Sequence, residues 1–379
     1  MTRAAYIHIP FCQHICHYCD FNKVLLANQP VDQYLDYLEK EMQQVLQRTP
    51  FEELDTIFVG GGTPTALSMH QTEKLLSMIE SNLKPFGSNY EYTFEANPGD
   101  LPKEKLQLLL EGGVNRLSFG IQTFDDGLLK KIGRSHTKRD AIEAIEDAKK
   151  VGFTNISGDL IYALPDQTIQ DVKEALHIAM LLELQHMSAY SLIVEPKTVF
   201  YNLMKRGNLH LPSEDHEANM YEYIMQEMEK NQYHQYEISN FAKSGYESRH
   251  NITYWNNESY YGFGAGAHSY VSGQRIQNAG PLKQYFTLID KTGYPHHEVH
   301  DVTKQEKMEE EMFLGLRKTE GVSKSVFKQK FHVTMHEKFN KQIQMNKQRG
   351  YIEETEDTVR LTKLGTLLGN EVFQSFLLE

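Results

Sequence analysis

At 379 residues, 40% hydrophobic and 24% charged, the chain has the composition of a soluble globular protein and the length for two or three domains at roughly 100–200 residues each. Its net charge of −12 argues against a nucleic-acid-binding surface over the whole molecule. No apolar run approaches the ~18 residues of a membrane span, and the first ten residues lack a signal-peptide layout.

Ala4 to Ile9 reads as a short strand ended by Pro10. All three cysteines follow within eight positions, at Cys12, Cys16 and Cys19. A disulfide framework needs an even number at wide spacing. Three thiolates at C-x3-C-x2-C can hold three irons of a [4Fe–4S] cube, with the fourth iron open for lack of another cysteine. A three-ligand zinc site or three buried thiols are the alternatives. Val31 to Leu46 carries a helical apolar stripe. Thr56 to Val59 reads as a buried strand that runs into Gly60-Gly-Gly-Thr-Pro64. Ser68-x-x-Gln71 is a capping-box start for the next helix. Strands at Tyr90–Phe94, Arg116–Ile121, Asn155–Ile161 and Met187–Leu192 then alternate with helices. Those helices open at Pro102, Thr137-x-x-Asp140 and Thr168-x-x-Asp171, and glycines 112–113 and 152 end two of them. Such alternation predicts βαβ units and a parallel sheet, an α/β fold.

In folds of this kind chemistry sits at the carboxyl ends of the strands. The cysteine loop follows the first strand, the three glycines the second, Glu95 the third and Gln122 the fourth, and Asp159 lies at the fifth. These groups would converge on one crevice. Glycines let backbone approach a ligand, and a carboxylate and an amide can bind its hydroxyl or amino groups.

From about Leu211 the alternation stops. A helix is expected over Asp215–Lys230, then loop-rich chain over 232–295, a helix over Gln305–Arg317, two further helices, a hairpin at 351–362 and a final helix over Lys363–Phe376. Helices with a small hairpin suggest a winged-helix-like module. Ser323 to Gly350 holds six lysines and one arginine against one glutamate, which is either a local basic patch or a solvated face. His296-His297-x-x-His300 is either a metal or haem site or a solvated loop.

The cysteine spacing, with Tyr6-Ile-His-Ile-Pro-Phe-Cys12, Gly60-Gly-Gly-Thr-Pro64, Phe94-Glu-Ala-Asn-Pro98 and Asp159-Leu-Ile-Tyr-Ala-Leu-Pro165, resembles the radical S-adenosylmethionine (SAM) superfamily, and its HemN/HemW branch in particular. The resemblance covers nearly the whole chain. It implies a partial (β/α)6 barrel with a mostly helical, winged-helix-like C-terminal domain. It divides the chain into a radical SAM core at 1–235, a connecting region at 236–300 and a HemN-type C-terminal domain at 301–379. It also implies that SAM chelates the open iron of a cluster held by Cys12, Cys16 and Cys19. Tyr6, Gly61, Gly62, Thr63, Glu95, Gln122, Arg134 and Asp159 match SAM-contacting positions of that branch. Arg134 would neutralise the SAM carboxylate. Tyr18 either flanks the adenine or packs internally.

Within the branch, oxygen-independent coproporphyrinogen III oxidases carry C-x3-C-x2-C-x-C and an N-terminal extension. Here Phe21 stands at the fourth cysteine position. Cys19-Asp-Phe-Asn22 and His250-Asn-Ile-Thr-Tyr-Trp255 resemble the HemW family of haem chaperones instead. That resemblance implies haem binding and delivery to apo-haemoproteins, membrane-associated respiratory enzymes among them, without oxidase activity. It implies no nucleic-acid partner and a monomer or weak dimer. An oxygen-sensitive cluster suits the cytoplasm. His250 is either a haem axial ligand or a loop histidine bonded to backbone, and His268 is a second candidate. The rival reading is the oxidase, and a DNA-binding regulator is a third.

Overall fold

The six expected strands form in the computed structural model, which describes residues 2–378. They are β1 (Ala4–Ile9), β2 (Leu54–Gly61), β3 (Phe86–Ala96), β4 (Arg116–Gln122), β5 (Ile156–Tyr162) and β6 (His186–Ser191). Each pairs in parallel with the next. Successive side chains of a strand point to opposite faces, and here the two faces differ in chemistry. In β4, Leu117, Phe119 and Ile121 are fully buried and share one core with Ile57, Val59 and Phe94 of the neighbouring strands and with Leu35, Leu75 and Ile145 of the covering helices. Burial of each such side chain stabilises by about 1.5–3 kcal/mol. The alternate residues, Arg116, Ser118 and Gly120, face the concave side. Register puts Glu95 opposite Ser118, and Gly120 opposite Asp159. Polar groups from several strands are thus stacked inside the bowl of the sheet.

The sheet is larger than six strands. It continues with β7 (His234–Glu237), β8 (Asn240–Ala242), β9 (Tyr260–Phe263), β10 (His268–Val271), β11 (Gln274–Asn278) and β12 (His296–Asp301). The order is β12-β11-β10-β9-β1-β2-β3-β4-β5-β6-β8-β7, an open twelve-stranded sheet. β9 is a seventh parallel strand, paired with β1. The expectation of loop-rich chain over 232–295 is corrected. The strands there are three to five residues long, too short to show a period in sequence. Residues 235 and 300 lie inside β7 and β12, so the sheet runs through both proposed boundaries.

The helices begin where the caps predict. Ser68/Gln71, Thr137/Asp140 and Thr168/Asp171 each form a reciprocal capping box, satisfying two backbone donors that a helix start leaves free. The long helix Val31–Arg48 buries its expected stripe at Val31, Leu35, Leu38 and Met42, and also Glu41.

The C-terminal unit packs helices Lys304–Gly315, Lys324–Phe331 and Met335–Gln348 against a three-stranded antiparallel sheet, β13 (Val322–Ser323), β14 (Ile352–Glu354) and β15 (Thr358–Leu361), in the order β13-β15-β14. It has its own core around Met312, Phe327, Phe339 and Val359. The single helix expected over Lys363–Phe376 is two, Lys363–Leu367 and Gly369–Ser375. Leu368 between them departs from helical geometry, at φ −112° and ψ 25°. Three of the six lysines of the basic stretch are ion-paired. Lys324, Lys347 and His336 all bond Glu354, and Lys330 bonds Glu311. Burial alone would raise the Glu354 pKa, but these partners outweigh it and hold the carboxyl at about 2. The unit docks on the large sheet through a bridge between Glu237 and Lys318, and through the Arg317 guanidinium, 4.6 Å over the Trp255 ring.

Candidate functional site

A cavity of about 420 Å³ opens at the carboxyl ends of the parallel strands, and Cys12, Cys16 and Cys19 line it. Tyr18, Gly61, Gly62, Thr63, Glu95, Gln122, Arg134 and Asp159 line the same cavity. The convergence expected from strand ends is therefore found. Tyr6 and His250 are not in the lining.

The cysteine loop is pinned at both ends. Phe11–Cys12 pairs with Val24–Leu25, and Leu26 N–H bonds Cys12 O at 2.8 Å. In the middle, His17 N–H bonds Ile132 O at 2.9 Å, and its ring Nδ1 meets Lys131 O at 2.9 Å. Cys12 is buried, and the other two thiols are partly exposed. Burial pushes the Cys12 thiol up to about 11 even though the Thr63 hydroxyl lies 3.6 Å from its Sγ. Arg134 Nη1 points at Cys16 Sγ from 3.4 Å, and its other arm bonds Gly120 O. The buried Arg134 Nε has no partner among the described residues. A guanidinium with an unused donor beside three soft sulfur ligands suits an anionic cluster or a carboxylate group. The residues present thus fit an iron–sulfur cluster with an amino-acid ligand.

The three glycines after β2 are required by protein neighbours. A Cβ on Gly60 would sit 2.7 Å from the Glu95 carboxylate, one on Gly61 2.4 Å from the His8 ring, and one on Gly62 2.8 Å from the backbone of Pro10 and Phe11. Gly61 also has φ +113°, a region that L side chains avoid. The run lets β2 slide under the cysteine loop. Gln122 likewise takes a left-handed φ of 68°, at an irregularity in the β4–β5 pairing.

Two carboxylates stand on the cavity wall. Glu95 accepts the Gly61 N–H at 2.9 Å. Burial pushes it up to about 7, with nearby Asp159 adding to the shift. Asp159 is raised by burial too, against hydroxyl donors on Ser188 at 2.8 Å and Ser118 at 3.3 Å. Arg116, fully buried behind them, supplies compensating charge. Composition gave no hint of this arginine, although the polar–apolar alternation of β4 could have placed it inside.

The structure does not bring His250 to the cavity lining, and it is a helix residue with side-chain partners rather than a loop histidine bonded to backbone. His250 is 1% exposed. Its Nδ1 pairs with Thr56 Oγ1 and its Nε2 with Tyr254 Oη, both at 2.8 Å. Burial, with Arg116 adding, drives its pKa down to about 3. The motif forms a short helix, Arg249–Trp255, in which His250 and Tyr254 lie one turn apart and close the floor of the barrel. Trp255 faces Arg317 instead. His268 and the trio at 296–300 also lie off the cavity lining, and His300 bonds Glu306 at 2.9 Å.

Tyr6 and three residues not predicted as site residues, His8, Asn22 and Glu41, tie the cysteine loop to the rest of the sheet. Tyr6 Oη meets His8 Nδ1 at 3.0 Å, and His8 Nε2 meets Asn22 O at 2.8 Å. The Asn22 amide donates to Ala265 O at 2.8 Å and Gly280 O at 3.1 Å. Glu41 accepts the Gly264 N–H at 2.8 Å and the Asn278 amide at 2.6 Å. A buried Glu within an apolar helical stripe was the one available signal.

Comparison with known proteins agrees with this geometry. The family model for the Radical SAM superfamily matches residues 6–179, and that for the HemN C-terminal domain matches residues 302–368. The chain is 54% identical to the heme chaperone HemW of Bacillus subtilis over 375 residues, covering 99% of each chain. It is 47% identical to HemW of Lactococcus lactis, covering 99% of this chain and 97% of the relative. Its fold superposes on coproporphyrinogen III oxidase (HemN) of Escherichia coli with a TM-score of 0.87, at 23% identity over 99% of this chain and 90% of that one. Cavity, cysteine loop, helical C-terminal unit and full-length likeness agree: the chain belongs to the HemW family of the radical SAM superfamily.

Proposed function

We propose that this protein binds haem and delivers it to apo-haemoproteins, and carries a SAM-ligated [4Fe–4S] cluster in its barrel mouth. The single observation that carries the cluster is the convergence of Cys12, Cys16 and Cys19 on one cavity with Gly61–Thr63, Glu95, Gln122, Arg134 and Asp159. Among the described residues no three His, Cys, Asp or Glu side chains gather tightly enough for a single ion. When bound, the SAM-ligated cluster supplies one-electron chemistry. Arg134 would bind the SAM carboxylate with its free donor. Glu95 and Asp159 would take amino or hydroxyl groups, and Tyr18 would border the adenine. Tyr6 acts behind them, holding His8 and through it the cysteine loop.

The haem-carrier reading rests on the full-length likeness to chaperones and on Phe21, which stands where the oxidase motif places a further cysteine. Its clients would be apo-haemoproteins, membrane-associated respiratory enzymes among them. We place the protein in the cytoplasm as a monomer or weak dimer. No helix among the described residues is long and apolar enough to cross a membrane. We also keep 1–235, 236–300 and 301–379 as a working division of roles.

The test is anaerobic and paired. Reconstituted protein is titrated with haem while the Soret band is followed, and a second sample receives coproporphyrinogen III, SAM and reductant. Saturable haem uptake without protoporphyrinogen is expected. Steady product with weak haem uptake would overturn the carrier reading in favour of an oxidase. Replacing Cys12, Cys16 and Cys19 together with Ala should abolish iron and sulfide uptake, and retention of a full cluster would overturn the ligand set.

A further inference from the structure

A fully buried guanidinium stands behind the cavity wall with almost none of its donors used. Arg116 is 2% exposed. Its one side-chain hydrogen bond among the described residues runs from Nη1 to Thr93 Oγ1 at 3.4 Å, and its Nε has no partner. A buried charge is costly unless it is paired and hydrogen-bonded, so packing does not account for an arginine here. Register shows what its charge faces. Arg116 lies opposite Thr93, and Ser118, the next inward residue of β4, lies opposite Glu95 and bonds Asp159. The strand position of Arg116 is therefore one inward layer, about 7 Å, beneath the level of both carboxylates. Its histidine neighbours bring no positive charge, because burial holds His186 and His250 neutral, with Arg116 adding.

We propose that Arg116 is a positioning residue for SAM: from behind the wall, its charge keeps Glu95 and Asp159 together as acceptors for the ligand's N–H and O–H groups. The proposal rests on the SAM-site reading and adds to it the residue that sets the charge of that wall. Two carboxylates at one site favour protonation of one of them, and burial favours it further. A protonated carboxyl turns a donor toward a ligand that itself brings donors. A positive charge about 7 Å away, in an interior of effective dielectric about 20, offsets this by about one to two pH units. The other groups facing the pair are Tyr6 and Tyr254 near Glu95 and Tyr190 near Asp159, phenols that stay neutral in the physiological range. Arg134 acts on Asp159, while Arg116 is the cation that acts on both carboxylates.

The test uses the full chain, reconstituted anaerobically with its cluster. SAM is titrated into wild type, Arg116→Gln and Arg116→Lys from about pH 6 to about pH 9, a range that brackets the carboxyl titration. Binding is followed by calorimetry and by the EPR signal of the reduced cluster, and the carboxylic-acid infrared band is recorded over the same range without SAM. Glu95 titrates at about 7, so wild-type affinity should rise through neutrality. In Arg116→Gln that rise, and the loss of the acid band, should move up by at least about one pH unit. SAM should then bind at least about five-fold more weakly at about pH 7, and within about two-fold of wild type at about pH 9. Arg116→Lys keeps the charge and should follow the wild-type profile, and it decides the matter if Arg116→Gln fails to assemble. A Lys variant that fails to assemble, or whose profile is displaced upward or weakened equally at every pH, would overturn the charge role. An equal loss at every pH in Arg116→Gln, or wild-type affinity throughout, would overturn it too and leave the SAM site standing. No SAM binding by wild type would overturn the SAM-site reading and this role with it.

Discussion

Gly61 and Gly207 show why identical residues carry different weight. Both have positive φ, +113° and +71°, but an added Cβ meets the His8 ring at 2.4 Å in the first and nothing within 4 Å in the second. Gly207→Ala should cost about 1 kcal/mol, from backbone strain alone. Gly61→Ala adds a clash under the cysteine loop, so about 2–4 kcal/mol is expected, with loss of retained iron. Urea denaturation and iron assay of both variants check this. His250 gives a pH signature. Its folded pKa, about 3, lies below the ordinary 6.5, so the unfolded chain takes up the proton first. Its contribution is present above about pH 6.5 and lost as pH falls toward 3. Glu41 and Glu95, both raised to about 7, act oppositely between pH 7 and their ordinary range. The histidine is therefore isolated by difference: between pH 4.5 and 6.5, His250→Gln should remove a slope of up to about 1.4 kcal/mol per pH unit. An unchanged slope would show that His250 is not held neutral. The type of residue at each of these positions was legible; its neighbours were not, since His8 and Gly61 are separated by most of a βαβ unit.

At the scale of elements, local rules carried furthest. The box at Thr137 and Asp140 closes with the Thr137 side chain accepting from Asp140 N–H and the Asp140 carboxylate accepting from Thr137 N–H at 2.8 Å. Thr137→Ala should cost about 1 kcal/mol, and the double variant with Asp140→Ala should cost less than the sum of the singles, measured by denaturant midpoints. Additive losses would show that the two groups do not act as one cap. Caps and apolar stripes are made by residues three or four apart, so they can be read before any tertiary contact exists. Strands β7 to β11 escaped reading for the opposite reason. Each is short, and two of them are defined by a partner far along the chain: β9 by β1 and β8 by β6.

On the scale of the molecule, the C-terminal unit leans on the barrel floor. Trp255 follows the His250–Tyr254 pair directly and lies beneath the Arg317 guanidinium, while Tyr254 stacks edge-on against Tyr260 of β9 at 4.5 Å. Trp255 is the only tryptophan, so its emission reports this docking. Arg317→Ala should shift that emission to the red and speed proteolysis near residues 302–303, with cluster content preserved, because the cysteine loop lies at the other end of the strands. A concurrent loss of iron would show that the two ends are coupled.

Cysteine spacing, capping boxes and the polar–apolar alternation of the parallel strands were determined by the chain itself. Each is a relation between residues close in sequence, and each expresses chemistry that any fold must respect: soft ligands for iron, donors left free at a helix start, one wet and one dry face on a strand. Tertiary structure alone decided that the H-N-x-x-Y-W histidine is bonded within the barrel floor, that Asn22 clamps the cysteine loop to Ala265 and Gly280, that three lysines of the C-terminal unit close on Glu354 and Glu311, and that Phe21 is left in solvent at the cavity rim. Burial and the identity of a hydrogen-bond partner are properties of pairs brought together across the sheet, and residue type does not encode them.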